Sequence, residues 1–100
     1  MQAQAAQQIV EEMNAHMTHS GIPIHRWYVG VAGDWEERLF VTHRVPREHQ
    51  WFIFRYALNH HDAQAIALAY HKAGSAGSPG GADDTAVYVY AYAITPQTVQ

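Results

Sequence analysis

The chain has 100 residues, of which 48% are hydrophobic, so its length predicts one domain spanning residues 1–100 rather than two domains. It has no cysteine, which excludes disulfides and thiolate metal sites, and no run of about 18 apolar residues that would predict a membrane span. The formal net charge of -3 argues against a protein that binds nucleic acid through bulk electrostatics alone. We expect a cytoplasmic protein that is not attached to a membrane, because the first residues do not resemble a signal segment.

The first two predicted elements are a helix and a strand. Residues 1–20 form an N-terminal helical segment, in which the helix runs from residue 2 to about residue 19 and ends before Gly21 and Pro23. The aromatic and β-branched run HRWYVGV, residues 25–31, predicts a strand. The apolar stripe of the helix consists of Ile9, Met13 and Met17.

A second helix and a second strand follow. Asp34 is expected to cap a helix that runs to about Thr42, with Glu37 three positions later completing a capping box. Pro46 then places its neighbours in a loop, because proline restricts the preceding residue to extended geometry. The run QWFIFRYAL, residues 50–58, predicts the second strand.

The last third of the chain predicts a helix, a loop and a strand. Asn59 repeats the capping pattern and opens a helix through about Ala73, residues 74–85 form a Gly-rich loop, and residues 86–94 form a strand. The order αβαβαβ predicts an α/β (α+β) fold with a small three-stranded sheet flanked by three helices. The strand order does not follow from the sequence.

The basic residues are confined to the middle of the chain, so any anion site is expected there. Six of the eight histidines share this region, and its positive charge should therefore increase as the pH falls toward about 6.5. The six basic residues are Arg26, Arg38, Arg44, Arg47, Arg55 and Lys72.

One run in this region carries a recognisable pattern. The sequence WYVGVAGDWEERLFVTH places Tyr28 and Gly30 on the first strand and Arg38 and His43 on the following helix. This run resembles the second half of the signature of GIY-YIG nucleases, and residues 25–98 as a whole are similar to a small single-domain branch that cuts single-stranded DNA. The first half of the signature, a Gly-Ile-Tyr strand, is missing.

The resemblance implies specific roles for these residues. Tyr28 would hold or deprotonate a water, Arg38 would contact two phosphate oxygens with its planar guanidinium, and His43 would hydrogen-bond the tyrosine or a phosphate. The resemblance also implies one divalent ion, Mg²⁺ or Mn²⁺, held by a single glutamate on the third helix. That position aligns with Ala67, so the metal-binding carboxylate is absent.

Helical spacing predicts that Ala67 shares a polar face of the third helix with His60, Gln64 and His71, which is not the face that a core would choose. Two explanations for the alanine remain: a deliberate replacement of glutamate that traps substrate, or a naturally inactive relative. The coexistence of Tyr28 with Arg38 and His43 favours the first explanation.

Other residues are candidates for nucleic-acid binding. Trp51 lies close to Arg47 and His49 in the sequence, which favours base stacking over core packing, and the basic side chains would guide the strand backbone. The tyrosines of the last strand are more typical of a sheet face that packs against a helix than of a binding surface. A second interpretation is that this strand replaces the missing Gly-Ile-Tyr strand and contributes one tyrosine to the site. The predicted nucleic-acid contacts are Arg26, Arg44, Arg47, Trp51, Arg55, His60 and Lys72.

The sequence therefore predicts a metal-dependent endonuclease that hydrolyses phosphodiester bonds in single-stranded DNA and is disabled at position 67. The alternative is a non-enzymatic module, derived from such a nuclease, that binds nucleic acid or a protein. A purely structural interaction protein would show no affinity for oligonucleotides.

Overall fold

The computed structural model describes residues 2–48, 51–77 and 86–100. The protein is an α+β domain with a three-stranded antiparallel sheet and three helices, which confirms the predicted fold class. A short 3₁₀ turn, Ile24–Arg26, precedes the first strand, and the second helix continues into a wider π-helical turn, Arg38–Thr42. The main elements are α1 (Ala6–Ser20), β1 (Trp27–Ala32), α2 (Trp35–Glu37), β2 (Phe52–Tyr56), α3 (His60–Ala73) and β3 (Tyr88–Ala93).

Local capping chemistry sets the ends of the long helices. The Asn59 side chain accepts a hydrogen bond from the backbone N–H of Asp62 at 2.8 Å, and this satisfies a donor that the first turn of α3 leaves unpaired. Gly21 and Gly74 end α1 and α3 with φ values of 73° and 118°, a conformation that glycine adopts without the steric penalty of a side chain. The start of α3 and the last residues of α1 and α3 agree with the sequence-based predictions to within one residue, whereas α1 begins at Ala6, four residues later than predicted.

The last strand lies in the centre of the sheet. The strand order is β1-β3-β2, and both pairings are antiparallel. Beyond the outer edge of β1, Ala76 continues the hydrogen bonding: its backbone oxygen accepts from Val29 N at 3.0 Å, and its N–H donates to Trp27 O at 2.8 Å. The start of the predicted Gly-rich loop is therefore ordered against the sheet, whereas residues 78–85 of that loop lie outside the described residues.

The two faces of the sheet have different coverings, because successive side chains of a strand point to opposite sides. One side, which we call the α1/α3 face, packs against the two long helices and holds Trp27, Val29 and Ala91. The other side, the tyrosine face, carries Tyr90 and Tyr92 and is partly covered by α2 and the π-helical turn. Among the described helices, none is both long and apolar enough to cross a membrane.

Candidate functional site

Tyrosines from two distant parts of the chain meet on the tyrosine face. In the sheet register, Tyr28 of β1 lies opposite Tyr92 of β3, and Gly30 lies opposite Tyr90. The rings of Tyr28 and Tyr92 are stacked, with centroids 5.2 Å apart and an interplanar angle of 16°. The antiparallel pairing thus brings a predicted site residue beside two tyrosines that the sequence places more than 60 positions later.

Gly30 makes room for this arrangement. A Cβ atom at Gly30 would lie 2.5 Å from the Tyr90 hydroxyl oxygen and 2.6 Å from Cζ, well inside normal contact distances. The Tyr90 ring therefore crosses over the backbone of β1, and only glycine permits this approach. The glycine of the Tyr-Val-Gly run thus has a packing reason that the sequence did not reveal.

His43 lies at the centre of the cluster and is 3% exposed. Its Nδ1 atom is 2.7 Å from the carbonyl oxygen of Val99, and its Nε2 atom is 2.8 Å from the Tyr90 hydroxyl oxygen. Because a carbonyl oxygen only accepts hydrogen bonds, Nδ1 carries the proton and donates to Val99. Nε2 is then the acceptor, and Tyr90 donates its hydroxyl proton to it.

The electrostatics of the cluster keep His43 neutral. Burial lowers the pKa of its imidazole, the positive charge of Arg38 lowers it further, and the hydrogen bond to Val99 only partly opposes these effects. The ring centroids of His43 and Tyr28 are 4.6 Å apart, so the imidazole is also enclosed by an aromatic side chain. At neutral pH the histidine is a hydrogen-bond acceptor toward Tyr90 rather than a cation.

Arg38 provides the positive charge of the site. It begins the π-helical turn, in which His43 N donates to Arg38 O at 2.9 Å, and its side chain is exposed to solvent. Burial raises the pKa of the Tyr90 phenol, and the neighbouring Tyr28 adds to this, whereas the positive charge of Arg38 acts in the opposite direction. Burial likewise raises the pKa of Tyr92. Protonated phenols thus lie beside an exposed guanidinium, and both kinds of group donate hydrogen bonds.

Ala67 does not join this cluster. It is 4% exposed and belongs to the core of the α1/α3 face, together with Ala63, Ile66 and Tyr70 of the same helix. The prediction that Ala67 lies on a polar face is therefore wrong, because docking against α1 and the sheet buries this side of α3. The sheet separates Ala67 from the face that carries Tyr28.

Two further residues that were predicted to contact nucleic acid lie on the α1/α3 face, as Ala67 does. Trp51 packs against the α1/α3 core, and its ring lies 5.6 Å from His16 and 6.2 Å from His19. Arg55 is paired through Nε with the carboxylate of Glu12 on α1. These side chains stabilise the contact between α1 and β2 and do not line the tyrosine cluster.

The other predicted contacts are spread over the surface. His60 and Lys72 lie on α3, and Arg26 precedes β1. Arg44 and Arg47 belong to the segment that follows the π-helical turn, next to the tyrosine cluster in the chain. Arg47 pairs with Glu36 at 3.4 Å, and its guanidinium lies 4.3 Å from the Phe40 ring centroid. Among the predicted basic contacts, those closest in sequence to His43 are the best placed to extend the site.

The donor set at the site does not fit the divalent ion that the resemblance implies. Mg²⁺ and Mn²⁺ prefer oxygen ligands, chiefly carboxylates and water, and Ala67 offers no such atom. Within residues 2–48, 51–77 and 86–100, no group of three or more His, Asp or Glu side chains could hold a metal ion. His43 has both ring nitrogens engaged by Val99 and Tyr90.

Sequence reasoning identified part of the cluster. Tyr28, Arg38 and His43 lie together, and β3 places tyrosines next to Tyr28. The expected hydrogen bond from His43 to Tyr28 is replaced by hydrogen bonds with Tyr90 and Val99. The role of the Val99 carbonyl was missed, because a backbone acceptor leaves no signal in the sequence. Comparisons of the chain with protein-family models, with curated proteins and with solved structures find no match.

Proposed function

We propose that this protein binds single-stranded DNA at a phosphodiester site of the GIY-YIG type formed by Arg38, Tyr28, Tyr90 and His43. One observation carries the proposal: an exposed guanidinium lies beside a buried, hydrogen-bonded cluster of tyrosine and histidine. Such a cluster costs desolvation and ordering free energy that a purely apolar core would avoid, so its presence favours a role in binding.

The chemistry of the cluster suits a phosphate diester. The Arg38 guanidinium has the planar geometry that contacts two phosphate oxygens at once, and its charge is permanent. The Tyr28 phenol at the edge of the cluster can add a neutral donor, while His43 holds Tyr90 in a fixed orientation. Of the two arginines that follow the π-helical turn, Arg47 is already paired with Glu36. We therefore expect a site for one or two phosphates rather than an extended electrostatic surface.

Binding of labelled oligonucleotides tests this proposal. Arg38→Ala should weaken binding of an oligothymidylate about tenfold and reduce the slope of log K against log salt by about 0.7, the value for one phosphate contact on a single strand. Lys72→Ala is the matched control, because it removes one exposed positive charge from α3, beyond the sheet. Equal effects of the two substitutions would contradict a local phosphate site at Arg38.

The second candidate is the metal-dependent endonuclease, which the close grouping of Tyr28, Arg38 and His43 favours. Its test is cleavage of end-labelled single strands in the presence of Mg²⁺ or Mn²⁺. Under this candidate the unmodified chain is disabled at Ala67 and yields no product, Ala67→Glu yields product, and Arg38→Ala in the Ala67→Glu background abolishes it. Binding by the unmodified chain with no gain of cleavage in Ala67→Glu favours the first proposal, and a chain without affinity for oligonucleotides would be a structural interaction protein.

A further inference from the structure

Aromatic side chains form three rows across the tyrosine face. The register of the sheet aligns one residue from each strand in every row, and neighbouring rows are two residues, or about 7 Å, apart along the strands. All three rows end on an aromatic residue of β2. The rows are Tyr28–Tyr92–Phe52, Gly30–Tyr90–Phe54 and Ala32–Tyr88–Tyr56.

The helical segment covers the β2 side of the first two rows. Phe40 meets the Phe52 ring edge-on with centroids 5.3 Å apart, and Trp35 stacks on Phe54 with centroids 3.4 Å apart. Leu39 is fully buried in the same cluster as Tyr90. These two rows are thus largely occupied by contacts within the protein.

The third row is different. Tyr56 and Tyr88 stack on each other with centroids 5.0 Å apart and an interplanar angle of 29°, and both remain partly exposed to solvent. Neither belongs to the aromatic side chains that pack against the buried cluster of this face. A preformed aromatic pair therefore lies one row from Tyr90, whose phenol interacts electrostatically with the Arg38 guanidinium.

We propose that Tyr56 and Tyr88 form the stacking site for an unpaired base of the strand whose phosphate is bound at Arg38. The inference rests on the proposed function and names the part of the ligand that lies next to the phosphate. The row of Tyr56 and Tyr88 lies about 7 Å along the strands from the row of Tyr90, so an unpaired strand bound at Arg38 can extend from one row to the next. An aromatic face accepts any base, so this site adds affinity with little sequence preference.

This placement also selects for single strands. A base in a duplex is already stacked and paired, and extruding it costs a few kcal/mol, whereas an unpaired base is free to stack on protein aromatics. The site differs from the one predicted at Trp51, which packs against α1 on the opposite side of the sheet. Base stacking at Trp51 and base stacking at Tyr56 and Tyr88 therefore predict different effects of substitutions on binding in the same experiment.

The experiment measures the affinity of a labelled eight-nucleotide oligothymidylate and of the same backbone with abasic sites. The unmodified protein should bind the abasic strand about 5- to 150-fold more weakly, the range for loss of one stacked base. Tyr56→Ala and Tyr88→Ala should weaken binding of the normal strand to a similar extent and leave binding of the abasic strand unchanged. Tyr56→Phe should retain the affinity, because stacking needs the ring and not the hydroxyl.

Controls separate this inference from the proposed function. Leu58→Ala changes a neighbouring residue that is 58% exposed and should have no effect, and circular dichroism verifies that each variant is folded. If Arg38→Ala weakens binding while the Tyr56 and Tyr88 variants do not, the base site is wrong and the phosphate site stands. Equal affinity of the unmodified protein for the normal and the abasic oligonucleotide would overturn the base site, and this comparison needs no variant. Absence of binding to either strand overturns both proposals.

Discussion

The Ala67→Glu substitution tests whether residue 67 belongs to the candidate site, as the resemblance implies, or to the core, where the structure places it. The resemblance implies a carboxylate at this position beside Tyr28 and Arg38. In the structure, residue 67 is 4% exposed and packs in the core between α3, α1 and the sheet. A glutamate there has no cation among the described residues of that core and has to displace apolar side chains.

The size of the effect follows from burial. A carboxyl with a pKa near 4.3 in the unfolded chain must stay protonated in such a core, which at pH 7 costs about 3.7 kcal/mol. Overpacking by the longer side chain adds about 1–3 kcal/mol. The total of about 5–7 kcal/mol approaches the whole stability of a typical domain, about 5–15 kcal/mol. We therefore expect Ala67→Glu to be largely unfolded or strongly destabilised at pH 7.

Urea unfolding followed by circular dichroism measures this loss, and Ala65→Glu is the matched control. Ala65 is exposed on the same helix, so the same substitution there should change stability by only about 0.5 kcal/mol. Burial raises the folded-state pKa of a glutamate at position 67, so the ionisation part of its destabilisation vanishes below about pH 4.3 and grows by about 1.4 kcal/mol for each pH unit above it. The overpacking part, about 1–3 kcal/mol, remains at every pH.

The result that would refute the reasoning is specific. If the Ala67→Glu and Ala65→Glu proteins unfold at the same urea concentration at pH 7, residue 67 does not lie in the core. If the Ala67→Glu protein also cleaves single strands with Mg²⁺ or Mn²⁺, the carboxylate belongs to the site as the resemblance implies.

Three further predictions concern stability. Gly30→Ala should destabilise the fold by about 1–3 kcal/mol, because the added methyl group clashes with Tyr90. The loss of stability should be smaller in a Tyr90→Ala background. If urea unfolding shows that the losses of the two substitutions add, the clash is contradicted. Burial raises the pKa of Tyr70 to about 12, and its hydroxyl donates to Asn14 at 2.7 Å. The stability that this phenol contributes should therefore be intact below pH 10 and be lost between pH 10 and about 12; a Tyr70→Phe protein with the same alkaline loss would argue against this assignment. Asn59→Ala should cost about 1 kcal/mol through loss of the α3 cap, and an unchanged urea midpoint would show that the cap contributes nothing.

The candidate site could be predicted only in part. Tyr28, Arg38 and His43 lie within 16 residues of one another, so a strand, a turn and a short helix bring them together by local geometry alone. The position of residue 67 depends on how α3 packs as a whole. Alanines occur on several sides of this helix, and their pattern does not indicate which side faces the sheet.

By itself, the sequence determined the local structure. The caps at Asn59 and Gly74 act within a few residues, and the alternation of β3 follows from the geometry of a single strand, so these features need no knowledge of the rest of the fold. The tertiary structure alone decided that β3 lies between β1 and β2 and that Tyr90 therefore contacts His43. Strand pairing and helix docking depend on the sum of many weak contacts between distant segments, and that sum is not visible in any one stretch of the chain.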